Sequence, residues 1–131
     1  MSTPEFSERI GKRGFYRPSG SVTFEQGLEL IAGAIRWARE EQLADILVDI
    51  RGFTLVGQLT TFMRYELGKR LAELSGGVVR VSMVANASVI DPQKIAALVA
   101  QNRGMNVDVF TSEADAIKWL DARASRNSTT R

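Results

Sequence analysis

The sequence contains no cysteine and no histidine. The first absence removes disulfides, thiolate nucleophiles and thiolate metal sites together. The second removes the side chain most used as a general base and as a metal ligand. Ser-His and Cys-His nucleophilic mechanisms are excluded with them. No apolar run approaches the roughly 20 residues needed to cross a bilayer. The start from Met1 to Ile10 is polar and carries Glu5 and Glu8, so it does not have the form of a secretory leader. The expected location is the cytoplasm, with no membrane span. An excess of one charge is missing too: 17 basic residues face 15 acidic ones, for a net charge of +2. The arginines are spread along the chain, whereas a nucleic-acid binder gathers them on one face. No nucleic-acid partner is expected. Glycines occur at neither the Walker nor the dinucleotide spacing after a strand, and no cofactor or metal is expected.

What is there suits one domain. The chain has 131 residues, 44% of them hydrophobic and 24% charged. A chain of this size buries roughly two-thirds of the surface it exposes when unfolded and needs no covalent staple. The expected domain covers residues 1–123. The Ser-, Thr- and Arg-rich stretch 124–131 reads as a disordered tail.

Hydrophobic periodicity gives the element order. Phe6, Glu8 and Ile10 alternate before Gly11–Gly14, and Phe15-Tyr16-Arg17 follows, which predicts an N-terminal hairpin ending at Pro18. Thr23-Phe24-Glu25-Gln26 has the form of a capping box. It opens a helix to about Gln42, with Leu28, Ile31, Ile35 and Ala38 on one stripe. Ile46–Ile50 is nearly continuous in apolar residues, the pattern of a central strand covered on both faces. A loop over Arg51–Gln58 leads to a helix from about Thr60 to Leu74, closed by Gly76-Gly77. Val78–Val84 is the next strand. Asp91-Pro92 supplies a cap and a first-turn proline for a third helix, and Gly104 stops it. Asn106–Phe110 alternates as a strand nearer an edge, and Thr111 or Ser112 caps the last helix. Strands alternating with helices imply parallel neighbours joined by right-handed crossovers. The expected fold is therefore α/β: a mixed sheet of four to five strands, an N-terminal hairpin and four helices. Its expected core includes Leu47, Val48, Leu67, Val81, Leu98, Val109 and Leu120.

Three stretches resemble the STAS-like domains, specifically the SpoIIAA-like (STAS/SEC14-type) branch. They are Gly14–Phe24, Ile46–Gly52, and Ile90 through Gly104 and Val109–Thr111 to Leu120. The resemblance covers roughly Phe6 to Leu120, and it rests on caps, turns and core positions. It implies a regulatory or binding role without a known reaction. Sporulation-type members carry a phosphorylatable serine after the central strand. Here that place falls on Gly57-Gln58-Leu59, which has no hydroxyl, and the nearest hydroxyls are Thr54, Thr60 and Thr61.

In open α/β sheets, ligands bind beyond the carboxyl ends of the strands. This points to the loop Arg51–Thr61, where Arg51, Gly57, Gln58, Thr60, Thr61 and Arg64 are the expected contacts, joined by Asn86 with Ser88 from the loop after the Val78–Val84 strand. A helix start there favours an anion. Asp49, late in its strand, has only Asp91 as a plausible carboxylate companion for a metal, and more simply bonds backbone amides. Trp37 lies off the main stripe of the first helix with Leu30, which predicts either packing against the last helix or a partner surface, with a homodimer through this helix the expected self-association. The expected function is a non-enzymatic binding or regulatory domain that recognises a protein or a small apolar or anionic ligand. The alternative is an enzyme that uses carboxylates or arginine on an anionic substrate.

Overall fold

The computed structural model describes residues 3–129, with side chains described through Ala124. The chain runs β1 (Ser7–Ile10), β2 (Arg13–Tyr16), β3 (Ser19–Val22), α1 (Phe24–Glu40), β4 (Asp45–Asp49), β5 (Gly52–Leu55), α2 (Thr61–Ser75), β6 (Arg80–Val84), α3 (Ile95–Asn102), β7 (Val107–Phe110) and α4 (Glu113–Thr129). Five strands form one sheet in the order β1-β2-β4-β6-β7. β1 is antiparallel to β2, and the other neighbours are parallel. The class expected from the sequence, a mixed sheet with four helices and parallel strands, is the one adopted.

Strand pleating divides the core in two, because successive side chains leave opposite faces. Ile46, Val48, Val81 and Met83 join Leu28, Ile31, Ile35, Leu71 and Ala100 of α1, α2 and α3. Leu47 and Val84 join Phe15, Ala116 and Leu120 beneath α4. Three helices therefore cover one face and α4 covers the other. α1 starts where the capping box places it: the Thr23 hydroxyl accepts from the Gln26 amide at 3.1 Å, and the Gln26 side chain accepts from the Thr23 amide at 2.9 Å. Ser112 caps α4 by accepting from the Asp115 amide at 3.2 Å.

The structure departs from the sequence reading at several places. The stretch read as a loop over Arg51–Gln58 contains β5, which pairs in parallel with β3 as a second, two-stranded sheet. α3 begins at Ile95 and not at Asp91, because Lys94 has φ of 51° and breaks the helical path. Asp91 still caps it from outside, accepting from the Ile95 amide at 3.1 Å. α4 is helical to Thr129, beyond the boundary drawn at 123; the side chains after Ala124 lie outside the described residues. Of the expected core, Leu47, Val48, Val81 and Leu120 are fully buried, and Leu67 and Val109 are half-buried against it. Leu98 is not core: it is 49% exposed. A Cβ on Gly68 of α2 would stand 2.2 Å from the Ala96 carbonyl oxygen, so α2 and α3 approach closely over small residues. Ala97, Val99 and Ala100 form the buried side of α3, and Leu98 is left outside. Trp37 is turned inward, only 4% exposed, with its ring against Gly14 of β2. It packs on the sheet face opposite α4, so neither alternative drawn for it holds. The partner surface expected on α1 is reduced to Leu30, which is exposed.

Candidate functional site

The carboxyl ends of β4 and β6 open onto a cleft of about 440 Å³. Its position follows from the second sheet. After β4 the chain turns at Ile50 and returns as β5, pinned where the Val56 amide donates to the Val22 carbonyl at 2.8 Å. β3 and β5 thus build a wall that carries Val22, Phe53 and Leu55. The first turns of α1 contribute Phe24, Leu28 and Ile31, and α2 contributes Leu67 with Leu59 ahead of it. A smaller cavity of about 90 Å³ between α2 and α3 shares Ile50, Leu59, Arg64 and Leu67 with the cleft. The polar groups on the cleft lining are few: Thr23, Gln58, Arg64, Asn86 and Ser88.

The residues expected at this site divide. Gln58, Arg64 and Asn86 line the cleft. Thr60 is the N-cap of α2, its hydroxyl accepting from the Met63 amide at 3.1 Å. Thr61 begins that helix and is exposed. Gly57 has φ of 95°, a left-handed conformation that favours glycine, and sets the turn between β5 and α2. Arg51 does not reach the cleft. Its guanidinium turns back on Asp49, with Nη2 donating to Oδ2 at 2.7 Å and Nε to Oδ1 at 3.0 Å.

The charge of Arg64 is already answered. Its Nη1 donates to the Val89 carbonyl at 2.6 Å and to Asp91 Oδ1 at 3.3 Å. The cleft is therefore close to neutral as well as apolar, and of the two ligand classes expected, apolar or anionic, its lining suits the first better.

The second group of charges lies across the sheet, under the start of α4. Asp49 accepts from the Arg51 amide at 3.1 Å as well as from its guanidinium. Arg17 donates to Glu113 through Nε at 2.8 Å and Nη2 at 3.0 Å, and to Glu8 at 3.2 Å. Burial pushes the Asp49 carboxyl up, but hydrogen bonds with Arg51 and with the Glu113 carboxyl outweigh it and hold the group below its ordinary value. Asp49 thus has Glu113, not Asp91, as its carboxylate neighbour. Asp91 lines the smaller cavity on the other side of the sheet, occupied by Arg64 and the Ile95 amide. Asp49 and Glu113 line neither cavity described above. Each is clamped by an arginine in bidentate geometry, which suits holding α4 on the sheet better than moving a proton.

The walls at Val22, Phe24, Phe53 and Leu55 were not anticipated. A signal existed in the alternation of Phe53 and Leu55 around Thr54, which is the strand period. No family model, no curated protein and no solved structure matches the chain.

Proposed function

We propose that this chain is a non-catalytic binding domain of the STAS-like group, and that its ligand is a small, mostly apolar molecule seated in the cleft between α1, α2 and the β3–β5 wall. The observation that carries this reading is the lining: apolar side chains surround about 440 Å³ at the carboxyl ends of parallel strands, and the one cation among them is neutralised. The volume lies within the roughly 300–1,000 Å³ of ordinary ligand pockets. Water in such a cleft finds few partners, so a ligand that displaces it gains hydrophobic free energy at about 25 cal/mol per Å² buried. Gln58, Asn86 and Ser88 on the lining would orient an uncharged polar group by hydrogen bonding. Val56, next in sequence to the lining residue Leu55, is largely exposed, and a protein partner would sense occupancy there. Support for the STAS-like assignment comes from the resemblance of the three sequence stretches and from the hairpin followed by parallel strands and crossover helices.

Titration with the neutral fluorophore 1-N-phenylnaphthylamine tests the reading. Saturable enhancement with one site per chain is expected. Leu59→Trp, which fills the cleft from a half-buried position, should weaken it at least about tenfold, one to two lost methylene-scale contacts being worth that much. Unaltered binding by a folded Leu59→Trp variant would reject the cleft as the site.

A further inference from the structure

At the opposite end of the sheet, strand register sets a row of charges side by side. Arg13 of β2 pairs with Asp45 of β4, and Asp45 pairs with Arg80 of β6. All three lie on the α4 face, where a cavity of about 350 Å³ opens between Lys12, Arg13, Asp45, Arg80 and Ala124. The single buried carboxylate is committed to one neighbour: Asp45 accepts from Arg13 Nε at 2.8 Å and Nη2 at 3.1 Å. The third Arg13 nitrogen donates to Asp121 at 2.8 Å. Arg80 comes no closer to Asp45 than 3.6 Å, outside hydrogen-bond range. Its side chain is only 14% exposed, and its Nε is buried with no acceptor among the described residues. Lys12 makes no ion pair among the described residues either.

The Arg80 guanidinium thus keeps only a 3.6 Å ion pair with a carboxylate that Arg13 already holds, and its Nε has no acceptor, an incompletely satisfied buried cation of the kind that is costly. Among the described residues, three cations stand around two carboxylates, one of them mostly exposed Asp121, which leaves a net positive charge at this cavity. We infer that this cavity binds a small phosphate-bearing anion, with Arg80 and Lys12 as its principal contacts and Arg13, held by Asp45, as a fixed wall. The guanidinium offers paired donors that match phosphate oxygens, and Lys12 adds a point charge at the mouth. The site is separate from the apolar cleft, at the amino-terminal ends of β4 and β6.

The probe is inorganic phosphate, followed by ¹H–¹⁵N spectra that include arginine Nε–H signals, with sodium chloride at matched ionic strength as the control. The expected result is saturable shifts at residues 12–14, 44–46 and 80–82 and at the Arg80 Nε–H, absent with chloride. Arg80→Gln should weaken binding at least about tenfold, the loss of a charged hydrogen bond, and Lys12→Gln about threefold. Lys12 is exposed, so the second variant reads out even if the first fails to fold. Shifts that chloride reproduces, or phosphate affinity unchanged in Lys12→Gln and in folded Arg80→Gln, would overturn the site. Binding to anionic vesicles without saturable binding of free phosphate would overturn it as well.

Discussion

Val48 shows what one residue carries in this fold. It is fully buried between the paired strands β2 and β6 and faces the α1 side of the sheet. Val48→Asp would place a charge there with no partner, at a cost of about 4 kcal/mol or more against the 5–15 kcal/mol that holds a domain of this size. Urea denaturation followed by far-UV circular dichroism should show a chain largely unfolded in buffer. Two other residues make stability depend on pH. Asp49 has a folded value below its ordinary 3.8, so its contribution to stability is complete above about pH 4 and is lost as pH falls through the folded value. The stability gap between wild type and Asp49→Asn should therefore narrow in acid. Tyr16, 2% exposed, is pushed above its ordinary 10.0, first by burial and then by Glu5. Its contribution is complete below pH 10 and is lost as pH rises through the folded value. Absorbance at 295 nm should show one tyrosine of the 2 ionising only as the protein unfolds.

At the scale of elements, what the sequence makes legible depends on where the determining contacts lie. α1 was readable because its cap and its buried stripe are both local: Thr23 and Gln26 bond each other, and Leu28, Ile31 and Ile35 recur at helical spacing. β4 was readable because both of its faces are buried, which makes Ile46, Leu47 and Val48 a continuous run. β3 was not. Its sequence, Ser19-Gly20-Ser21-Val22, has little strand propensity, and its pairing with β5 is set by the turn at Ile50, about 30 residues away in sequence. The site was legible in position and not in character. Gln58, Arg64 and Asn86 line the cleft, but the partner of Arg64 is Asp91 in another loop, a contact that spacing does not reveal. The α2–α3 pairing gives a direct test. Gly68→Ala would press a methyl into the Ala96 carbonyl. Overpacking of this kind costs about 1–3 kcal/mol, and the thermal midpoint should drop by several degrees. Gly33→Ala, where a Cβ meets nothing within 4 Å, should instead hold or raise it, since alanine is the better helix former by about 1 kcal/mol.

On the scale of the whole molecule, the sheet separates two kinds of surface. The α1–α3 side carries an apolar cleft at the carboxyl ends of the strands, and the α4 side carries arginine–carboxylate rows at both ends. The central claim is that the apolar cleft takes the ligand. Methyl-labelled protein saturated with 1-N-phenylnaphthylamine tests it most directly, through nuclear Overhauser effects between probe and protein. The account predicts contacts to the methyls of Val22, Leu28, Ile31, Leu55 and Leu59, and none to Leu30 or Val78 on the outer surface. Contacts confined to those outer methyls, with the five cleft residues silent, would contradict it.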